Sequence, residues 1–412
     1  MIQFIRNYYF PLLILLITFF SVNQWNPIPI GNTFITWFVQ FLTVFYLIKF
    51  HSRHHIKYPI VSIYMIWLII GIIRGVFIAE NYWEWKQLIS GALSLSIPLF
   101  VYIFAYPQAV SYTLRFWFKY AILAFFFFFA WVLVFDSYHF YLGPILLLTC
   151  LFPLLPKKWK VICGILTAIM LMGDLGARSQ VIKAAMSIII ALGCYYRKYV
   201  THSMLKIAHW SCYLLPIILL FLGISGQFNI FEDASQNNKY TQQKVVNGQV
   251  VEENLSADTR TFIYKEVITS AIKHNYVLWG RTPARGNDSA WFGSFNAEEL
   301  KTGKYERHTN ELCHTNVFTW LGLIGVIIYS LIYLRSSYLA VYKSNNFYIK
   351  ILGCFIAFRW AYGWVEDFNR FDIMNISLWM IIAMGLSSQF RQMNDIEFKL
   401  WVKTIFNKNK IQ

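Results

Sequence analysis

The residues best suited to acid–base chemistry in this chain are two histidines in a repeated His-Thr-Asn triplet. His308-Thr309-Asn310 and His314-Thr315-Asn316 stand six residues apart, and the second triplet opens an apolar segment. An imidazole titrates near neutral pH, so either His308 or His314 is a candidate general base, with a capping or surface role as the alternative. Neither histidine belongs to a metal-binding motif such as H-E-x-x-H, and we predict neither a metal nor a cofactor.

Arginines form the second group of chemically promising residues. Arg74 and Arg359, like Lys183, lie inside apolar segments. A charge there costs roughly 2.5–3.5 kcal/mol and is expected to face the protein interior or a polar cavity. Guanidinium groups bind phosphate through two parallel hydrogen bonds, so the set predicts a site for a lipid-linked phosphate or pyrophosphate. For any single arginine, snorkelling or pairing with a nearby carboxylate is the alternative. The candidates are Arg74, Arg178, Arg260, Arg281, Arg285, Arg359 and Arg370.

The elements that must position these side chains are apolar helices. Of the 412 residues, 57% are hydrophobic and 14% are charged, whereas a soluble domain has about 25% charged residues. The apolar runs are continuous and lack the alternation of barrel strands, so we predict an all-α polytopic membrane protein. About twelve runs approach the length that a bilayer requires. They cover residues 8–22, 33–50, 58–79, 87–106, 112–135, 139–155, 159–173, 179–196, 208–226, 314–334, 349–365 and 371–389.

Basic residues indicate how these segments are oriented. Twenty of the 36 Lys and Arg residues fall in one set of alternating loops and termini, whereas the short loops between them carry only Lys86, Arg178 and Arg370. The positive-inside rule then places both termini in the cytoplasm and residues 227–313 outside. This placement accounts for much of the net charge of +16, so the charge does not require a nucleic-acid partner.

The loop 227–313 is the one long polar stretch of the chain. Residues 232–258 have low apolar content, which predicts a mobile segment or a surface hairpin. Asp258 or Thr259 can cap a following helix, and Gly280, Pro283 and Gly286 end it in a turn. The predicted apolar face of that helix consists of Phe262, Ile263, Val267, Ile268 and Ile272. The chain thus divides into helices 1–9 (1–226), the partly helical loop (227–313), helices 10–12 (314–390) and a basic tail (391–412).

Three motifs in this layout resemble those of the O-antigen ligase and O-antigen polymerase superfamily. Gly176-Ala177-Arg178-Ser179 opens the eighth segment, and Thr259-Arg260 begins the loop helix, which leads to His274-Asn275-Tyr276-Val277-Leu278-Trp279-Gly280. His314-Thr315-Asn316 then precedes Leu321-Gly322-Leu323-Ile324-Gly325. A layout of twelve helices with a large loop between the ninth and tenth also matches that superfamily, so the resemblance spans most of the chain.

The resemblance implies a GT-C-like membrane glycosyltransferase of the bacterial inner membrane, with the large loop in the periplasm. It would move a glycan, without a metal, from undecaprenyl pyrophosphate to lipid A-core or another lipid acceptor. By analogy, Arg178 and Arg260 would hold the pyrophosphate, and His308 or His314 would act on the acceptor hydroxyl. A polymerase of the same superfamily is the closest alternative. A flippase or transporter of lipid-linked oligosaccharides is an alternative of another class, which usually shows internal repeats that this sequence lacks.

Overall fold

The computed structural model describes residues 2–28, 30–54, 57–134, 137–172, 178–224, 241–246, 249–254, 261–289 and 292–406. Helices form over each of the apolar runs. In chain order they are α1 (Ile2–Phe20), α2 (Thr33–His54), α3 (Pro59–Ile78), α4 (Tyr82–Leu95), α5 (Phe100–Phe104), α6 (Pro107–Ala124), α7 (Ala130–Val132), α8 (Tyr138–Tyr141), α9 (Gly143–Cys150), α10 (Lys157–Met172), α11 (Arg178–Tyr195), α12 (His202–Ile224), α13 (Thr261–Lys273), α14 (Cys313–Lys343), α15 (Phe347–Tyr362), α16 (Ile373–Leu386), α17 (Ser388–Gln392) and α18 (Asp395–Thr404). Short strands β1 (Thr241–Val246), β2 (Gln249–Asn254), β3 (Asn287–Asp288) and β4 (Glu306–Arg307) lie within the large loop.

Six helical stretches in the described part of the chain are long and apolar enough to cross a membrane. They are Thr33–Ser52, Pro59–Ile78, Tyr82–Phe104, Pro107–Val132, His202–Leu222 and Cys313–Lys343. Large apolar side chains on these helices point outward, and Phe77 and Phe127 are 84% and 83% exposed. In water such exposure would be costly, but it is expected where a helix faces lipid. The coarse prediction of a helical membrane protein agrees with these observations.

The centre of the bundle is formed by α14, α15 and α16. Every residue of α16 is buried, including Trp379 and Met380. Glycines let the helices approach closely, because a Cβ atom at Gly143 would stand 2.4 Å from the Cα atom of Met374. Small residues at helix contacts are a usual feature of membrane bundles, where close packing replaces the hydrophobic effect.

The prediction that residues 139–155 form one continuous segment is wrong, because they do not form a single helix. Pro144 and Pro153 each stand near the beginning of a new short element, and the longest of these, α9, has eight residues. Eight residues span about 12 Å, which is too short to cross a bilayer. All eight are buried against neighbouring helices. Proline lacks a backbone N–H and fixes φ, so it ends the helices here.

Within the large loop, β1 and β2 pair in antiparallel register, which agrees with the hairpin alternative for residues 232–258. The helix α13 follows as predicted, although its proposed caps, Asp258 and Thr259, lie outside the described residues. Its buried face contains Ile263, Val267, Ser270 and Ala271, whereas Ile268 and Ile272 are exposed. The predicted apolar face was therefore too wide. At 100° per residue, Ile268 and Ile272 fall on the other side of the helix.

The segment that follows α13 docks into a break in α14. Gly322 has a φ of +69°, so the hydrogen-bond ladder of α14 is interrupted there. Residues 276–283, which we name the docking turn, supply hydrogen-bond partners for the backbone groups of α14 that this break leaves unpaired. The N–H groups of Arg281 and Thr282 donate to the carbonyls of Thr319 and Trp320, and the N–H of Leu323 donates to the carbonyl of Val277. The large loop is therefore joined to the helical bundle through its backbone.

Candidate functional site

A polar cavity of about 1170 Å³ opens at one end of the helical bundle. Its walls come from the ends of α1, α2, α4 and α11, together with loop segments 307–311 and 365–372. Gln87, Ser90 and Ser94 line it from one face of α4, because residues three and four apart lie on the same side of a helix. Polar side chains in such a wall can bind a hydroxyl-rich or charged ligand.

The cavity gathers residues that lie in, or directly after, each loop that the charge pattern assigns to the outside. Asn23 and Arg370 belong to two of these loops, Asn310 belongs to the large loop, and Gln87 and Ser179 stand one residue beyond two more. Phe140, just after the remaining loop, also lines the cavity. Segments that are far apart in sequence therefore converge at the same end of the bundle.

The cavity wall is acidic, although the whole chain is strongly basic. Its charged lining residues are Glu311, Glu366, Asp367, Asp372, Arg307 and Arg370. Both arginines already have contacts. Arg307 donates to the carbonyl of Thr309 and lies 3.4 Å from a carboxylate oxygen of Glu311, while Arg370 donates to Gln24 Oε1 at 2.8 Å. The cavity itself is thus not the arginine-lined anion pocket that the sequence suggests.

Below the wall lies a buried ion pair between two distant parts of the chain. Lys183 Nζ of α11 is 2.5 Å from Glu366 Oε1, and both side chains are almost fully buried. Gln180, one turn earlier on α11, donates to the same carboxylate oxygen. The expectation that Lys183 faces the protein interior is therefore confirmed. The pair connects α11 to the loop that carries Glu366, Asp367 and Asp372.

Two of the predicted arginines lie at the cavity. Arg370 lines it, and Arg178 is the exposed first residue of α11, immediately before the lining residue Ser179. The Arg178 side chain has no hydrogen bond or ion pair among the described residues. Arg260 lies outside the described residues. An exposed guanidinium beside a cavity is available to bind an anionic group of a ligand at the cavity edge.

Arg281 and Arg285 are engaged elsewhere, in an ionic cluster within the large loop. Arg281 is 3.0 Å from both Asp288 and Glu306, while Arg285 binds Glu306 with two nitrogens. Glu84 of α4 joins the cluster at 3.8 Å from Arg285. Burial alone would raise the pKa of Glu306, but Arg285 and Arg281 hold it below its usual value. These two arginines stabilise the loop and do not line the cavity.

The same cluster fastens the large loop to the helical bundle. Lys304 of the loop is 2.6 Å from Glu80 and 2.6 Å from Glu84, the two acidic residues at the beginning of α4. Glu84 is 2% exposed, so its pair with Lys304 is largely shielded from solvent, whereas Glu80 is exposed. Buried ion pairs are sensitive to the loss of either partner, which gives these contacts a structural role.

The arginines inside apolar helices have different surroundings. Arg74 of α3 donates to the carbonyls of Trp279 and Gly280 in the docking turn. Arg359 of α15 is 1% exposed and stands 5.3 Å from the ring of Phe368. Its Nε and one terminal nitrogen have no hydrogen-bond partner among the described residues. Both arginines face the protein, as expected for charges in apolar segments, but neither lines the cavity.

The two histidines also lie outside the cavity lining. His314 is 2% exposed, and its Nε2 donates to the carbonyl of Trp360 at 3.0 Å. Its ring centroid lies 5.3 Å from that of Trp360 and 4.6 Å from that of Trp364. His308 is half-buried between the lining residues Arg307 and Thr309, and burial lowers its pKa. Burial therefore favours the uncharged form of the His308 imidazole.

The asparagines of the repeated triplet bind each other. Asn310 donates its backbone N–H to Asn316 Oδ1 at 2.6 Å, and Asn316 Nδ2 donates to the carbonyl of Asn310 at 2.9 Å. Asn310 also donates to Asn287 Oδ1 at 2.9 Å. This pairing holds the segment that ends the loop against the beginning of α14, and it brings Asn310 into the cavity wall.

Sequence reasoning missed the carboxylates of the loop 363–372 as site residues. Asp367 lines the cavity, and burial raises its pKa to about 6. A carboxylate with such a pKa can exchange a proton near neutral pH. The available signal was the acidic density of Glu366-Asp367 and Asp372 in a short predicted outer loop. The polar stripe Gln87, Ser90 and Ser94 in an otherwise apolar segment was a second signal.

Comparison with known proteins does not identify a relative. No protein-family model matches the chain, and neither a curated protein nor a solved structure matches it.

Proposed function

We propose that this chain is a membrane glycosyltransferase of the O-antigen ligase type, located in the bacterial inner membrane with its large loop in the periplasm. It would move a polysaccharide from undecaprenyl pyrophosphate to lipid A-core or another lipid acceptor. The observation that carries the proposal is the polar cavity at the end of an apolar bundle. A lipid-linked glycan needs both a polar chamber for its sugars and apolar surface for its lipid tail.

In this proposal Arg178 binds the pyrophosphate of the donor. The exposed guanidinium stands beside Ser179 of the cavity wall, and its fork can form two hydrogen bonds to a phosphate. Negative charge on the pyrophosphate grows as the glycosidic bond breaks, and a fixed cation next to it lowers the barrier. Arg260 is its proposed companion on the strength of the motif resemblance. Arg370 is proposed to contact the glycan from within the cavity.

The transfer step requires an acceptor hydroxyl, an anomeric carbon and a proton acceptor. The hydroxyl oxygen forms a bond to the anomeric carbon, the bond from that carbon to the pyrophosphate oxygen breaks, and the hydroxyl proton moves to a base. We propose Asp367 as the base, because this residue lines the cavity and burial raises the pKa of its carboxyl group to about 6. His308, which lies next to two lining residues, is the second candidate, and His314 is the third.

The test is glycan transfer by purified protein with Arg178→Ala and Arg178→Lys variants. We expect Arg178→Ala to lower the transfer rate about 100-fold or more, by analogy with the loss of one transition-state hydrogen-bond donor. Lysine should restore only part of the rate, since it lacks the planar fork. Thermal stability should not change, because the side chain is exposed and has no partner among the described residues. Full activity of Arg178→Ala would contradict the proposal.

A matched control is Arg335→Ala. Arg335 is also exposed on a helix, but it lies in a segment predicted to face the cytoplasm. The Arg335→Ala variant should transfer glycan at the wild-type rate. If both variants lose activity equally, the loss reflects general damage and the role of Arg178 fails.

Deletion of the gene separates the ligase from the alternatives. A ligase deletion should leave long lipid-linked chains and uncapped lipopolysaccharide, whereas a polymerase deletion should leave single-repeat caps. Loss of lipid-linked glycan from the outer leaflet, with purified protein inactive in transfer, would instead favour the flippase.

A further inference from the structure

One face of α4 carries three polar side chains without a hydrogen-bond partner in the described part of the chain. Gln87, Ser90 and Ser94 line the cavity, and none of the three residues is fully buried. Their amide and hydroxyl groups are not sealed in the protein interior. This polar stripe lies within Tyr82–Phe104, a stretch long and apolar enough to cross a membrane.

Other serines in the apolar helices satisfy their own hydroxyl groups. Ser187 and Ser377 each donate to the carbonyl four residues earlier in the helix. Ser96 at the end of α4 donates to the carbonyl three residues earlier. Such bonds are needed where the surroundings are apolar, because hydrocarbon offers no partner to a hydroxyl group. Since Ser90 and Ser94 form no such bond, their side of α4 is suited to water or a polar ligand.

The helix α2 presents a second stripe to the same cavity. Thr33, Trp37 and Gln40 line the cavity at spacings of four and three residues, so they share one face of the helix. Gln40 Nε2 donates to the carbonyl of Phe371 at 3.3 Å, and this bond leaves the amide oxygen of Gln40 for another partner. The half-buried Trp37 adds apolar surface. Because α2 and α4 are in contact, the two stripes form one cleft.

The cleft extends along both helices from their predicted outer ends. The helices α2 and α4 follow loops 23–32 and 80–86, which the charge pattern assigns to the outside. Ser94 lies about 18 Å along the axis of α4 from Tyr82, at 1.5 Å per residue. The headgroup layer on each side of a bilayer is only about 5–7 Å deep. A helix that begins near the outer surface therefore carries Ser94 below the headgroups.

We propose that the cleft between α2 and α4 binds an oligosaccharide segment through hydroxyl and acetamido groups, partly below the level of the lipid headgroups. Amide and hydroxyl side chains both donate and accept hydrogen bonds, as these sugar groups do, and Trp37 suits the apolar face of a sugar ring. The stripe from Gln87 to Ser94 is about 10 Å long, which suits a short chain of sugars. This site deepens the proposed function, on which the identity of the ligand as the donor glycan rests.

Cysteine reactivity tests whether the cleft is open to water. Ser94→Cys and Ser96→Cys are compared in the full-length protein, reconstituted in lipid nanodiscs, with a charged methanethiosulfonate reagent. We expect Ser94→Cys to react roughly tenfold faster or more, because a thiol reacts only where the reagent has access and Ser96 is 6% exposed. The native protein measures the background of its own cysteines. Equally slow reaction of the two variants would overturn the cleft.

Oligosaccharide binding tests the ligand. The probes are chitotriose, which carries acetamido groups, and maltotriose, which carries only hydroxyl groups, in nanodiscs free of glycolipid and of sugar-based detergent. We expect at least one trisaccharide to bind saturably and to slow the labelling of Ser94→Cys. The absence of saturable binding by both trisaccharides would overturn the proposal, and so would binding that leaves the labelling rate unchanged.

The double variant Gln87→Ala/Ser94→Ala assigns the binding to the stripe. We expect affinity for the trisaccharide to fall about tenfold or more, as expected for the loss of two hydrogen bonds. The melting temperature should be retained, because neither side chain has a partner among the described residues. The matched control is Ser96→Ala, which removes a hydroxyl from the same helix outside the cavity lining and should bind as wild type does. Unchanged affinity of the double variant would contradict the assignment.

The glycan-transfer assay distinguishes the two proposals. The double variant should raise the KM for the lipid-linked donor, since it removes contacts to a part of the substrate that does not react. Transfer by the double variant with wild-type kcat/KM would remove the cleft as a glycan site and leave the enzyme. Saturable trisaccharide binding in a protein that is inactive in transfer would remove the enzyme and leave an oligosaccharide site of another membrane process.

Discussion

At the scale of single residues, the described structure separates charges that build the protein from charges that remain available. Arg281 and Arg285 are used in pairs with Asp288 and Glu306, so their positive charge is already compensated. Arg178 has no described partner and stands beside the cavity. An arginine that is available to a ligand is distinguished from a structural one by its partners, and its position in the sequence does not reveal them.

Asp288 provides a prediction at this scale. Burial would raise its pKa, but hydrogen bonds from Lys273, His274 and Arg281 outweigh burial and bring it to about 2. Because this pKa lies below the usual value, the stabilising contribution of Asp288 is complete above about pH 4 and is lost as the pH falls towards 2. Asp288→Asn should cost about 1–2 kcal/mol of stability at pH 7, after allowance for solvent screening.

Thermal unfolding in detergent across this pH range checks the prediction. The difference in melting temperature between wild type and Asp288→Asn should be largest at neutral pH and vanish near pH 2. Glu298→Gln is the control, since Glu298 accepts an exposed hydrogen bond from Tyr305 and should have little effect. A difference that is constant with pH would show that the ionised carboxylate is not the stabilising form.

At the scale of elements, the break in α14 explains how a polar loop is fixed to an apolar bundle. A helix interrupted inside a membrane protein must regain partners for its backbone groups. Here the docking turn supplies them, and Arg74 adds two hydrogen bonds from α3 to the same turn. The motif glycines Gly280 and Gly322 meet at this contact. A Cβ atom at Gly322 would stand 2.2 Å from the carbonyl oxygen of Leu278.

Gly322→Ala is therefore expected to displace the docking turn. The substitution combines a positive φ with a backbone collision. We therefore expect the free energy of unfolding to fall by roughly 3 kcal/mol or more. Limited proteolysis of the purified protein should show faster cleavage within residues 276–312. Gly164→Ala in α10 is the control, because the nearest atom to its new Cβ is 3.8 Å away. Wild-type resistance of Gly322→Ala would contradict the role of this contact.

At the scale of the whole molecule, the cavity occupies the end where the predicted outer loops meet, and the C-terminal helix α18 packs at the other ends of the helices. Trp401 of α18 donates to the carbonyl of Pro107, and Arg115 donates to the carbonyl of Thr404. Charge is thus distributed by side, with basic residues around α18 and an acidic cavity wall opposite. This distribution supports the proposed orientation with the cavity outside.

Cysteine labelling tests that orientation. Gly303→Cys places a thiol on the large loop where the new side chain has nothing within 4 Å, and Lys198→Cys places one in an exposed turn between α11 and α12. A membrane-impermeant maleimide added to intact spheroplasts should label Gly303→Cys, and it should label Lys198→Cys only after permeabilisation. The reverse pattern would invert the topology and place the cavity in the cytoplasm. The native protein is the labelling control, since five of its six cysteines are buried.

Local sequence patterns were enough to predict that apolar helices make up most of the chain. Continuous apolar runs predict the helices α2, α3 and α14, and a hydrophobic period of 3.6 residues predicts α13. Prolines limited this success, because Pro144 and Pro153 divide a segment whose hydropathy alone suggests one helix. The prediction of a wide buried face on α13 was wrong, because hydrophobicity does not reveal which side of a helix a neighbouring element covers.

The amino-acid sequence by itself determined that this is an apolar helical protein whose charges are segregated by loop, because hydropathy and charge are properties of consecutive residues. Only the tertiary structure decided which charged groups meet. Lys183 pairs with Glu366, and Arg74 binds the backbone at Trp279, although each pair is far apart in the chain. Such contacts depend on how helices pack, so the gathering of carboxylates at the cavity and the absence of a partner for Arg178 among the described residues emerged only when the packing was known.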